Sequence, residues 1–307
     1  MDDLARAEPS RGRVGCMTSP FLGSASGLSR QRLRGKGYRR LSRDLYLVQP
    51  VAPELRTLVE ALLLALPDAV PCLYTAALLQ RLPVDDDGLL HVARSRRAAR
   101  SERSGVKVHR TPVEVDEQLD LGGLPVTDGP RTFVDLAGRL SLEQLVALGD
   151  VVLRRYDTAA LGAAVDRRTR RPGLPLARHA LTLLDAGAGS PAESRSRLRL
   201  HDAGFPALRH GVVVRDAAGG WLAAPDLADE FARVAVQHEG AVHFEAGVER
   251  WRHDLQRDEL ARQQDWQVVV ATALDDRRPH LLVSKVTDAY RRSAVLHGPA
   301  VLPMHLR

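Results

Sequence analysis

The chain is poor in the residues that mark several protein classes. It has two cysteines, Cys16 and Cys72, in 307 residues, which excludes a disulfide-stapled scaffold and fits a reducing compartment. Aromatic residues make up only 4% of the sequence. No apolar run approaches the roughly 20 residues needed to cross a bilayer. The most apolar stretch, Leu58 to Val70, is broken by Glu60, Pro67 and Asp68. Lysine is scarcer still: Lys36, Lys107 and Lys285 are the only three among 44 basic residues. Such an arginine bias commonly follows codon composition, so abundance of arginine says little by itself. The N-terminus, Met-Asp-Asp, lacks a basic segment followed by an apolar run, and the sequence therefore predicts a cytoplasmic protein with no membrane partner.

What is present is an ordinary globular composition, 44% hydrophobic and 27% charged, in a chain long enough for two or three domains. The formal net charge of +6 is not spread evenly: residues 1–50 hold 10 basic and 4 acidic side chains, and the remainder is balanced. Charge concentrated in one short segment makes a phosphate-facing patch, whereas dispersed charge mainly aids solubility. Within that segment Ser29 can cap a short helix over Arg30 to Gly35. Tyr38 to Leu41 and Leu45 to Val48, separated by Ser42-Arg43-Asp44, read as a hairpin. A helix followed by a basic hairpin is the order of a winged helix. The other reading is a solvated arm without fixed shape. Arg30, Arg32, Arg34, Lys36, Arg39 and Arg40 are the candidate DNA-phosphate contacts.

Leucine and valine spacing predicts helices over Glu54 to Leu66 and Leu142 to Arg155, and short strands over Leu89 to Val92 and Val106 to His109. The arginine-rich run Arg94 to Arg103 reads as a solvated loop, Arg167 to Pro175 as a second loop, and Leu176 to Leu184 closes this α/β region. The last third opens with Ser190-Pro191-Ala192-Glu193, a helix start in which Ser190 and Glu193 form a capping box. Strands are predicted over Gly211 to Arg215, Trp221 to Leu227, Ala232 to Val236 and Trp266 to Thr272. Helices are predicted over Val248 to Gln264 and Leu282 to Arg292. Asp226 and the run Gln237-His238-Glu239-Gly240 then fall at neighbouring strand ends. Glu193, Asp226 and Glu239 are the carboxylates that could serve a divalent ion such as Mg²⁺, which prefers oxygen ligands.

These segments, together with Pro20-Phe21-Leu22-Gly23, Thr75-Ala76-Ala77, Gly129-Pro130-Arg131-Thr132 and Asp135-Leu136-Ala137, resemble a bacterial, actinobacterial-type family. Its C-terminal domain is similar to very-short-patch-repair endonucleases of the PD-(D/E)XK restriction-endonuclease-like fold. Its first two thirds are similar to AbiEi-type antitoxins. The resemblance implies an α/β chain with a winged-helix-like segment (1–50), an antitoxin-like α/β domain (51–188), an endonuclease-like domain built on a central mixed sheet flanked by helices (189–296) and a tail (297–307). It implies Mg²⁺ or Mn²⁺ as cofactor if the protein is active, held by Asp226 and Glu239, with Glu193, Gln237 and His243 as the other catalytic positions. It implies DNA, and a cognate toxin, as partners. The implied activity is phosphodiester hydrolysis; the alternative is a degenerate nuclease fold within an antitoxin-like transcriptional regulator. Gln237 replaces a family glutamate and removes a ligand charge, which favours the alternative. Structural roles compete at each position: Glu193 in the capping box, Asp226 as a turn residue after Pro225, His238 and His243 as ordinary structural histidines, and Asp254 as one charge on a solvated helix.

Overall fold

The computed structural model describes residues 20–48, 53–98, 101–215, 218–238 and 263–307. The chain is mixed α/β and forms two compact units, residues 1–79 with 86–127, and residues 80–85 with 128–307. The first unit thus joins the basic segment to the following α/β elements, and the helices after residue 128 group with the C-terminal sheet.

In the first unit β1 (Phe21–Leu22), α1 (Arg30–Leu33), β2 (Tyr38–Ser42) and β3 (Leu45–Val48) make a small antiparallel sheet ordered β1-β3-β2. Ser29 caps α1 by accepting the Arg32 N–H, as the sequence predicts. Leu45 and Leu47 are buried, and Phe21 packs on Tyr38 and Tyr46. Among the described residues of this segment, one four-residue α-helix accompanies the hairpin. α2 (Leu55–Ala65) follows, then β4 (Val70–Pro71), α3 (Leu73–Leu79), β5 (Leu90–Arg94), β6 (Val106–Arg110), β7 (Gln118–Asp120) and β8 (Pro125–Thr127). β4 pairs antiparallel to β5, and β5 parallel to β6. Strand alternation puts Leu90, Val92, Val106 and Val108 on one face, where they pack with Leu62, Leu63 and Leu66 from α2 and the turn after it. Arg94, predicted to begin a loop, is the last residue of β5, and its guanidinium holds Asp68 (2.6 Å).

The second unit begins with α4 (Gly129–Leu136), α5 (Leu142–Leu153), α6 (Thr158–Asp166) and α7 (Leu174–Leu181). Side-chain caps start the first three: Asp128, Ser141 and Asp157 each accept a backbone N–H from the first turn. Arg131, only 2% exposed, donates to Asp135 (2.8 Å), which is also paired with Arg171, so the Gly-Pro-Arg-Thr motif anchors a buried ion network. Before α7, Gly173 has φ +87°, and a Cβ there would meet the Gly138 backbone nitrogen at 2.2 Å. Only glycine fits that crossing.

α8 (Pro191–Asp202) is strongly polar, yet Ser194, Ser196, Leu198 and Leu200 are buried. Arginines spaced two apart make this burial possible: Arg195 grips Asp276, Arg197 meets Asp150, and Arg199 bridges Glu143 and Asp276. Burial pushes the Asp150 carboxyl above its ordinary value, while the Arg195 hydrogen bond holds Asp276 below its own. β9 (Val214–Arg215) and β10 (Trp221–Ala223) form one short ladder. A second sheet contains β11 (Leu227–Asp229), β12 (Val234–His238) and β13 (Gln267–Ala271), with antiparallel then parallel pairing. Leu227, Val234, Val236 and Val269 face a core shared with Leu200 and with α10 (Pro279–His297), reached through α9 (Ala273–Arg277).

Two predicted features change. The strand expected over Trp221 to Leu227 is two strands in different sheets. Pro225 lacks an N–H for a ladder and biases the residue before it, so the chain changes partner there. The expected tail is part of the core: Val301 is buried in the same cluster as Tyr290, and His305 meets Phe205 edge-on at 4.9 Å between ring centroids. The charged helix predicted from Val248, with Asp254, falls almost wholly outside the described residues, as do Glu239 and His243. No helix among the described residues is long and apolar enough to cross a membrane.

Candidate functional site

Two of the residues the sequence singles out, Asp226 and His238, sit where β11 and β12 meet. Asp226 directly precedes β11, and His238 is the last residue of β12. Because Leu227 pairs with Val236, the hairpin brings these two together. Asp226 Oδ2 accepts the His238 backbone N–H at 2.6 Å and lies 3.2 Å from its Nδ1. The His238 Nε2 is 2.8 Å from the Ser196 hydroxyl on α8. In the tautomer that carries its proton on Nδ1, toward the carboxylate, Nε2 accepts a hydrogen bond from the Ser196 hydroxyl.

Serine, histidine and aspartate in this order resemble a hydrolase triad, but burial runs the wrong way. Ser196 is 4% exposed, the His238 side chain 11% and the Asp226 side chain 23%. A triad opens at its serine. This one opens at its carboxylate, so Ser196 and His238 hold Asp226 at the sheet rim.

The other predicted ligands do not join it. Glu193 is buried in the first turn of α8, where its N–H donates to Ser190 Oγ (3.3 Å) and its Oε2 accepts from Gly189 N (2.7 Å). Ser190 caps the helix as predicted, but the reciprocal half of the box shifts by one residue, the Glu193 carboxylate taking the Gly189 N–H. Glu193 Oε2 also lies 3.7 Å from Nδ1 of His210, a buried imidazole whose Nε2 is 3.8 Å from Asp185 and whose two nitrogens make no hydrogen bond. Gln237 alternates with His238 and projects to the opposite face of the strand. Lys285, the last lysine, donates to the Val270 carbonyl (3.1 Å) and to Asp275 (2.8 Å), tying β13 to the helices that follow. Burial opposes ionisation of Asp275, but hydrogen bonds from Lys285 and Thr272 outweigh it and hold the carboxyl below its usual value. Of the carboxylates assigned to Mg²⁺, the described residues contribute Asp226 alone at this rim, and they do not by themselves make a hard-cation cage. Among the described residues, no group of three or more His, Cys, Asp or Glu side chains is placed to hold a metal ion.

The six predicted phosphate contacts, Arg30, Arg32, Arg34, Lys36, Arg39 and Arg40, are all exposed on the α1–hairpin segment. Successive strand residues point to opposite faces, so Arg39, paired with Leu47, and Arg40, paired with Tyr46, emerge on different sides of β2. The turn is fixed by Asp44, which accepts from the Ser24 backbone (2.8 Å) and hydroxyl (2.5 Å). That hydroxyl hydrogen bond draws the Asp44 carboxyl below its ordinary value.

Sequence reasoning missed a second polar cluster, in the first unit. His91, 2% exposed, has Nε2 2.8 Å from Asp87 and Nδ1 2.9 Å from His109 Nε2. The two rings are nearly coplanar (11°) and meet end to end, with Tyr74 packed beside His91. Asp87, His91 and His109 form one hydrogen-bonded line. The available signal was register: parallel pairing of the two predicted strands puts His91 opposite Lys107 and His109 opposite Ala93, all on one face.

The chain matches no model of a known protein family, and no curated protein is similar enough to count as a relative.

Proposed function

We propose that this is a DNA-associated protein whose basic α1–hairpin segment binds backbone phosphates, in the manner of an AbiEi-type antitoxin or transcriptional regulator. Its C-terminal sheet is a PD-(D/E)XK-like fold with a degenerate metal site. The observation that carries this reading is the exposure of six cations on a segment that also holds the whole charge excess, mounted on a capped helix and a pinned turn. Gln237 in place of an acid supports the degenerate state, and among the described residues Asp226 is the one predicted carboxylate ligand at the C-terminal rim.

The test is binding of the full chain to a short duplex across a salt series. Six phosphate contacts give a slope of log K against log salt of about −5, and each lost contact reduces it by about one. Of Arg39→Ala and Arg40→Ala, made singly, the one on the DNA-facing side of β2 is expected to flatten the slope by about one. Binding that ignores salt, or a slope unchanged by these substitutions, overturns the reading.

The placement of Asp226 favours a second reading, an active Mg²⁺- or Mn²⁺-dependent endonuclease. It requires metal-dependent plasmid nicking that Asp226→Ala abolishes and Gln237→Glu increases. No nicking by either the natural chain or Gln237→Glu rejects it.

A further inference from the structure

A cavity of about 260 Å³ opens in the first unit where the basic hairpin meets α2 and the edge of the β5–β6 layer. Leu41 and Leu45 line it from the hairpin, Leu55, Leu58 and Leu62 from one stripe of α2, and Leu90 and Val106 from the strands. The spacing of the α2 leucines, three and four apart, sets all three on the face that looks into the cavity. Among the described residues its polar lining comes from the loops before β5 and β6, where Asp86, an exposed residue, is the one charged side chain. Arg103, beside the lining residue Ser104, donates to the Arg43 carbonyl (2.8 Å) and ties the 101–105 loop to the hairpin.

An apolar cavity of about 150 Å³ already takes up benzene, so this one accommodates a longer chain or a larger ring. Aliphatic walls offer no hydrogen bond to a polar body and no aromatic face to a planar one. A single carboxylate among the lining residues complements a cation and repels an anion. We infer that the cavity is a binding site for a small cationic amphiphile, an aliphatic chain or single ring of about eight carbons bearing one amine. The body lies among the leucines and the ammonium lies beside Asp86. A ligand there touches the hairpin and α2 together and so fixes how the basic segment is carried within this unit. The inference stands whether or not the protein binds DNA.

Butylamine, hexylamine and octylamine titrated into the full chain, followed by leucine methyl shifts in NMR and by calorimetry, test it. Affinity is expected to rise about fourfold per methylene, the factor that follows from burying one CH₂. Octylamine is expected to bind two- to fivefold more tightly than octanol, the range of an exposed ion pair, and octanoate more weakly than either. Asp86→Asn removes the amine preference while leaving octanol binding unchanged. Leu58→Trp, which fills the cavity, weakens octylamine at least tenfold. Should that variant fail to fold, the methyl shifts in the natural chain decide: they must saturate and centre on Leu41, Leu45, Leu58 and Leu62. Binding that does not saturate, shifts centred elsewhere, or equal affinity for octylamine and octanoate overturns the proposal.

Discussion

The two mixed sheets, β4-β5-β6 and β11-β12-β13, are built alike and used differently. Each has three strands in sequential order, an antiparallel pair followed by a parallel one, and a five-residue central strand. Each central strand carries a histidine hydrogen-bonded to an aspartate from the loop or turn before a neighbouring or the same strand. In the first sheet the histidine is the second residue of its strand and is sealed beneath α3. In the second it is the last residue, and its ring is 11% exposed against 3%; the aspartates reach solvent in both, Asp87 at 34% and Asp226 at 23%. Position along the strand decides how deeply the imidazole is buried, while its carboxylate reaches solvent in both. The inner site pays off only through complete hydrogen bonding, because an unsatisfied buried imidazole is costly.

That contrast can be broken by mutation. His91→Ala leaves Asp87 and His109 without their shared partner and opens a void beside Tyr74, and we expect a loss of about 3 kcal/mol in urea unfolding. His238→Ala removes a ring from a partly solvated rim, where water replaces the lost partner, and the expected loss is about 1–2 kcal/mol. Equal losses at the two positions would remove the distinction drawn between them. Ser196→Ala deletes one hydrogen bond to His238 and should cost about 1 kcal/mol, with no change on replacing His91 in the same background beyond the sum of the two, since the sites share no partner.

Acid sharpens the comparison least. Asp276 is held below its ordinary value by the Arg195 hydrogen bond, and Asp68 in the first unit by that from Arg94. A carboxyl depressed in the folded state adds stability that is complete above its unfolded value of about 3.9 and is lost as pH falls through the folded value. These two contributions are therefore lost below about pH 4, while Asp150, raised by burial, acts in the opposite sense in the second unit. The effect is expected to be larger for Asp276, which has two arginine partners and is the less exposed carboxylate. Hydrogen exchange from pH 3 to 6 checks this, and Arg195→Ala should flatten the response of α8 and α9 while leaving β5 unchanged.

Local chemistry made much of this legible beforehand. Ser29 capping α1, the hairpin around Asp44, Ser190 at the start of α8 and the strands at Val106 and Gln267 follow from caps, alternation and turn residues, whose forces act within a few positions. The α4 and α6 helices were less visible because Gly129, Pro130 and the alanine-rich 158–166 run lack a long apolar stripe; their caps, Asp128 and Asp157, were the available signal. Trp221 to Leu227 misled because apolar continuity across Pro225 conceals a change of partner. The proximity of Asp226 and His238 was readable as two neighbouring strand ends, but the Ser196 contact was not. It depends on how α8 lies against β12, which arginine pairs with Glu143, Asp150 and Asp276 determine from far along the chain.

Among the described residues the order β1-β3-β2 leaves the outer edge of β2 without a partner strand, and such an edge invites another strand to join it. Here that border bristles with arginine, so two copies approaching side by side meet like charge before any backbone groups can pair. The same guanidinium groups that suit a polyanion thereby keep the hairpin from recruiting its own kind.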